Sequence, residues 1–230
     1  MKSRLLLLAG LCAALTAGAQ TVVYDNIGFG TNALAGYGEP NANHPIFGDA
    51  LNLTQGGTLG HVGLTLYNSS SGGNTGAIIS GNMTLNIYNN TVPYAGGSLS
   101  ASDPLIASVL LTWTFSGAGM PVQNYSIGTF DLTSLNITVP QNIFVTQQFA
   151  LTAGTSTANG VVLFPNPSIG SSPANVYINS SATPEGLYTF SGGNPNQFGY
   201  HIDIQIVPEP TSLALAGLGA AGLLVFRRRK

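Results

Sequence analysis

Leu105-Ile106-Ala107-Ser108-Val109-Leu110-Leu111-Thr112-Trp113-Thr114-Phe115 is the stretch that decides the fold. Read in steps of two, it puts Leu105, Ala107, Val109, Leu111, Trp113 and Phe115 on one face, with Thr112 and Thr114 opposite. Successive side chains of an extended chain point to opposite faces, so this is the signature of a strand with one buried side. The same period recurs on either side. Residues 83–88 direct Met83, Leu85 and Ile87 inward. Residues 59–67 set Val62, Leu64 and Leu66 against His61, Gly63, Thr65 and Tyr67. Further strand-like runs lie at 21–26, 125–131, 149–153, 161–164, 176–179 and 199–206. Clusters of Gly, Pro, Ser and Asn at 69–75, 96–104, 165–174 and 191–195 punctuate them as turns. No helical period of useful length appears, and no repeat of 20–50 residues suggests a solenoid. Many short strands with such turns predict an all-β fold, an antiparallel, jelly-roll-like β-sandwich forming one domain over residues 20–206.

Charge separates this body from the two ends. All six basic side chains are terminal: Lys2, Arg4, Arg227, Arg228, Arg229 and Lys230. Between residues 20 and 206 there is no Lys or Arg, while seven acids remain: Asp25, Glu39, Asp49, Asp103, Asp131, Glu185 and Asp203. A body without Lys or Arg has no electrostatic footprint for nucleic acid, so no nucleic-acid partner is expected. Nor can it form ordinary salt bridges. Its stability has to come from burial and hydrogen bonds. The single cysteine is Cys12, so the body is expected to stand without disulfides; a body of this size can bury a core of its own.

The ends read as targeting segments. Lys2 and Arg4 form a basic start, residues 5–15 are apolar, and Ala17-Gly18-Ala19 is an A-x-A cleavage site. Residues 1–19 are therefore expected to be a secretory signal peptide, handled by the export machinery and cut by signal peptidase after Ala19. Cys12 does not make a lipobox, because Leu11 occupies a position that needs a small residue. At the other end, Val207-Pro208-Glu209-Pro210 is stiff and extended, since each proline fixes its own φ and restricts the residue before it. Thr211 and Ser212 suit the cap of a helix that follows. Residues 211–226 are uncharged and rich in Leu, Ala and Gly. As a transmembrane helix they would span about 24 Å, short of the usual ~20 residues, so the bilayer has to thin or the arginines snorkel. Arg227, Arg228, Arg229 and Lys230 act as a stop-transfer signal and mark the cytoplasmic side. The body between the two basic ends is expected outside the cytoplasm.

Pro208-Glu209-Pro210, the short apolar span and the Arg-rich end, in this order, resemble the PEP-CTERM sorting signal of Gram-negative bacteria. The resemblance covers residues 207–230. It implies processing by an exosortase, a membrane cysteine transpeptidase, near the Pro-Glu-Pro. It also implies a surface or secreted destination in bacteria that make exopolysaccharide and biofilm, with transient anchoring in the inner membrane. The body resembles the "choice-of-anchor" type β-sandwich domains often found upstream of this tail. That likeness rests on Val23-Tyr24-Asp25-Asn26, on the pair Leu64-Thr65-Leu66-Tyr67-Asn68 and Leu85-Asn86-Ile87-Tyr88-Asn89, and on Leu105-Ile106-Ala107-Ser108. Phe130-Asp131-Leu132-Thr133-Ser134-Leu135 and Val176-Tyr177-Ile178-Asn179-Ser180-Ser181 complete it. It implies a fold and no activity.

Catalytic constellations are scarce. No G-x-S-x-G nucleophile elbow occurs. His201 and Asp203 sit two apart and face one way, as a base and its orienting carboxylate would, although the polar face of a last strand explains them as well. Gly28-Phe29-Gly30 and Gly36-Tyr37-Gly38 lack the rest of a phosphate cradle. The acids are too scattered for a calcium loop, leaving only a site assembled from loop carbonyls with Asp25, Glu39 or Asp49. For sugar, Trp113 reads as core, while Tyr67, Tyr88 and Tyr177 are candidate platforms. Regular T-x-T arrays of an ice-binding face are missing; Thr112-Trp113-Thr114 and Thr155-Ser156-Thr157 are isolated. Seven N-x-[ST] sequons, at Asn52, Asn68, Asn82, Asn89, Asn124, Asn136 and Asn179, matter only in a host that glycosylates asparagine. The sequence thus predicts an exported, exosortase-processed surface or matrix protein with a non-catalytic body, without cofactor or metal, linked to exopolysaccharide. A secreted carbohydrate-binding module is the alternative, with a hydrolase or an ice-binding protein behind it.

Overall fold

A computed structural model describes residues 19–27, 33–37, 46–69, 79–89, 104–115, 124–153, 158–164, 166–173, 175–179, 186–188 and 197–206. They form strands β1 (Ala19–Asp25), β2 (Ala33–Tyr37), β3 (Ile46–Asn52), β4 (Gly57–Ser69), β5 (Ile79–Asn89), β6 (Leu105–Phe115) and β7 (Asn124–Asp131). After a 3-10 turn at Thr133–Leu135 come β8 (Thr138–Val139), β9 (Asn142–Ala153), β10 (Ala158–Phe164), β11 (Val176–Asn179), β12 (Gly186–Tyr188), β13 (Gln197–Phe198) and β14 (Tyr200–Ile206). Val22–Ile204 make one compact unit. The other, Met1–Thr21 with Gln205–Lys230, is described only at residues 19–21 and 205–206. The expected signal helix and transmembrane helix lie outside the described residues. Among the described residues, no helix is long and apolar enough to cross a membrane.

The strands build two antiparallel sheets that form a sandwich. The first has the order β1-β14-β4-β10-β13, with β2 on β10 and with β7 and β8 on β4. The second runs β12-β11-β3-β9-β5-β6. Register follows the alternation of the sequence. Met83 pairs with Leu111 and Leu85 with Val109 across β5 and β6, so that apolar residues stand side by side on the inner face. Met83, Leu85, Ile87, Leu111 and Trp113 are all buried, as their spacing predicts, whereas Leu105, set on the same face by its spacing, is 53% exposed beyond the register shift at Ile87 and Tyr88. From the first sheet Val62, Leu64, Ile202 and Ile204 meet them. Each such side chain contributes about 1.5–3 kcal/mol on leaving water. The Trp113 ring stands edge-on to Phe130 of β7, centroids 5.4 Å apart, and joins the two sheets. Phe47 of β3 and Phe198 of β13 do the same at 5.8 Å.

Three local features depart from simple alternation. In β9, Ile143, Phe144, Val145, Thr146 and Gln147 are buried in succession. Ile143 and Val145 belong to the core. The intervening Phe144 reaches to Tyr177 at 5.6 Å and to Tyr88 at 6.3 Å. The first of these ring pairs lies over β3, where Gly48 is paired with Tyr177 on one side and Thr146 on the other. A Cβ on Gly48 would come within 2.9 Å of the Val145 carbonyl and 3.1 Å of the Phe144 ring, so glycine is what lets the rings meet. Finally, residues 168–171 tie the sheets at one end. Asp25 N–H donates to the Ile169 carbonyl at 3.0 Å, and Asn52 N–H to the Ser171 carbonyl at 2.8 Å. The turn between them needs Gly170, whose φ is 79°.

Candidate functional site

The first sheet places two histidines among carboxylates on three neighbouring strands, β1, β14 and β4. His61 of β4 donates its backbone N–H to Asp203 Oδ1 at 2.7 Å, and its Nδ1 lies 3.1 Å from Asp203 Oδ2. His201 Nδ1 lies 3.5 Å from Asp25 Oδ2 on β1. The base-and-carboxylate reading of His201 with Asp203 is therefore not supported, and the polar face of the last strand stands. Each residue turns to a neighbouring strand instead. Residues two apart along a strand are about 7 Å apart, whereas residues facing each other across strands come within about 5 Å. Asp131, opposite His61 on β7, is held below the usual carboxylate range by the Thr133 hydroxyl and N–H, with a smaller pull from His61. The pairs are partly buried and tie strand to strand. Among the described residues no group of three His, Cys, Asp or Glu is arranged to hold a metal.

A second polar group lies inside the sandwich. Asp49 shares the inner side of β3 with Phe47 and Leu51 and is 1% exposed. Neither of its carboxylate oxygens has a hydrogen-bond partner. Burial pushes its carboxyl well above the ordinary range, although the nearby backbone of Phe198 and Ala50 favours the charged form. The same burial, with the Asp49 charge next in weight, raises the phenols of Tyr24 and Tyr200. Tyr24 donates its hydroxyl to Ser172 Oγ at 3.1 Å. Gln197 Nε2 donates to the Ser172 carbonyl at 2.9 Å. Asn26 stitches β13 to β14, donating from Nδ2 to the Phe198 carbonyl at 2.9 Å and accepting Tyr200 N–H at 2.8 Å. Sequence reasoning names Asp49 only as one carboxylate of a loop site. That it sits on a strand, facing the core, is visible only once β3 is paired.

The sugar platforms fare unevenly. Trp113 is core, as expected, at 4% exposure. Tyr177 is buried as well, because its ring is engaged by Phe144, so it is removed from the list of platforms. Tyr88 is half-buried, and the side chain of Tyr67 lies outside the described residues. Of the processing residues, Ala19 is the exposed first residue of β1. Ala17, Val207, Pro208, Glu209, Pro210, Arg227, Arg228, Arg229 and Lys230 lie outside the described residues. The last strand ends at Ile206, the residue before Val207.

The family model of the PEP-CTERM protein-sorting motif matches residues 207–230. The tail of this chain is a PEP-CTERM sorting motif. It follows β14 without an intervening residue and implies export to the cell envelope of a Gram-negative bacterium and processing by an exosortase. No curated protein matches the chain. Among solved structures, the one described as that of infectious bursal disease virus Gt strain is similar at 12% identity and a TM-score of 0.27. That likeness covers 83% of this chain and 37% of the viral one.

Proposed function

We propose that this protein is an exosortase substrate whose β-sandwich acts at the cell surface or in the extracellular matrix without catalysis, alongside exopolysaccharide. The PEP-CTERM motif at residues 207–230 carries the reading. The body supports it in composition. A domain without Lys or Arg and with seven acids does not adhere to anionic lipid or nucleic acid, which suits a life between anionic surfaces. The chemistry of the described residues supports the non-catalytic part. The two histidines pair with carboxylates of neighbouring strands, and neither is hydrogen-bonded to a hydroxyl nucleophile by those contacts. The carbohydrate-binding alternative loses one of its three candidate platforms, because Tyr177 is buried.

Topology tests the export half of the reading. A reporter enzyme that is active only outside the cytoplasm, fused after Gly160, is expected to be active in the host and to lose activity when residues 1–19 are removed. An inactive full-leader fusion, made at normal level, would overturn export.

A further inference from the structure

The body buries a carboxyl group with no Lys or Arg at hand to pair with it. Asp49 is buried with both oxygens unpartnered, and no Lys or Arg occurs between residues 20 and 206. Other buried side-chain atoms are unpartnered too: the Tyr200 and Thr65 hydroxyls, both amide atoms of Gln147, and Gln197 Oε1. Gln147 and Asp49 lie diagonally across the β3–β9 pair, because Phe47 faces Gln147 and Asp49 faces Val145. Tyr200 approaches from the first sheet, where the Phe47–Phe198 ring contact holds β3 against the β13–β14 segment. Gln197 precedes Phe198 on that segment and has its amide nitrogen fixed on the Ser172 carbonyl.

A proton on Asp49 would not settle this group. It adds one donor, and none of the other unpartnered atoms is hydrogen-bonded to either carboxylate oxygen. A metal ion fits the pattern better. Oxygens that share a cation at about 2.3–2.6 Å are each satisfied by the ion and need no hydrogen bond to one another. The donors are a carboxylate, amide carbonyls and a hydroxyl, without thiolate or imidazole. Such a set selects a hard cation of the calcium or sodium kind over zinc or copper.

We propose that the space between Asp49, Gln147 and Tyr200 is a binding site for one hard metal cation, with Asp49 as its only charged ligand and Gln197 at its rim. The ion joins β3 and β9 of one sheet to β14 of the other, so it acts as a cross-brace of the sandwich. With a single carboxylate the site is weak, with a dissociation constant of about 0.1–1 mM, the range of extracellular calcium modules. This proposal concerns the body alone; its failure would leave the sorting reading untouched.

Thermal melting of the protein isolated from its host tests it. The protein is stripped with EDTA, then melted in choline chloride, sodium chloride, magnesium chloride and calcium chloride at equal ionic strength. Calcium or sodium at about 100-fold over the dissociation constant is expected to raise Tm by roughly 5–10 °C, and comparison of the four salts says which ion it is. The rise is expected to vanish in Asp49→Asn, and in Tyr200→Phe to need several-fold more salt. Should Asp49→Asn fail to fold, Tyr200→Phe carries the comparison, since it removes one hydroxyl and keeps the ring. Equal melting of the wild-type protein in all four salts would overturn the site. A rise that persists unchanged in the variants would place the ion elsewhere and overturn it as well.

Discussion

Replacing Glu209 with alanine is expected to leave export intact and to abolish C-terminal processing, so that full-length protein accumulates in the membrane fraction. Proline at 208 and 210 is expected from the sequence to keep the tripeptide extended, which would leave its backbone groups open to a protease cleft instead of spent in a helix. Glu209 is the one charged group between Asp203 and Arg227. It is thus the feature an enzyme can read beside a membrane. On the proposed reading Arg227, Arg228, Arg229 and Lys230 would hold the chain at fixed depth, because each cation costs about 2.5–3.5 kcal/mol at the centre of a bilayer. Removing Glu209 would leave that anchor in place and take away only the mark. Immunoblots of membrane and culture fractions would show a shift from a shorter released species to a longer retained one. Normal mass and normal release in the variant would recast the tail as a plain anchor.

The second large effect concerns the sandwich. Trp113→Ala is expected to cost about 3–5 kcal/mol of stability, the range for deleting a buried aromatic. The ring is 4% exposed and stands against Phe130, so its loss opens the seam between β6 and β7 as well as the core. Leu110→Ala, on the same strand but 67% exposed, is expected to change stability by no more than about 0.5 kcal/mol. Urea melts of the two variants give the comparison. Equal losses would mean that β6 does not present the face described here. The sequence assigns Leu110 no inward role, so the contrast also tests the alternation from which the fold was first read.

How far the sequence speaks depends on how a strand is buried. β6 and β11 have the limits that their residues suggest, and Met83, Leu85 and Ile87 point inward as spaced. β5 and β6 carry one apolar face and announce it, while β11 is a short apolar run buried on both faces. β9 is half hidden to such reading. From Ile143 to Gln147 it is apolar or polar without period, because both faces are covered and alternation has no work to do. β3 is hidden for the opposite reason. Gly48 and Asp49 are residues that strands disfavour; the first makes room for the Phe144 and Tyr177 rings, and the second is the buried carboxylate. The His61–Asp203 and His201–Asp25 pairs were beyond reach, since they depend on which strands become neighbours. His201 and Asp203 were visible as polar residues of one strand, but not their partners on β1 and β4.

The sorting signal is the converse case. The motif implies an exosortase as its reader, and it is legible in the order of Pro208, Glu209, Pro210, the apolar run and the terminal cations. That order makes the central claim open to one direct measurement. The protein is recovered from the envelope and culture fluid of its host, and of a strain lacking its exosortase, and the C-terminal peptide of each is identified by mass spectrometry. The account predicts a C-terminus close to Pro210 in the host and an intact tail ending in Arg227-Arg228-Arg229-Lys230 in the exosortase-deficient strain. The intact tail in both would contradict it.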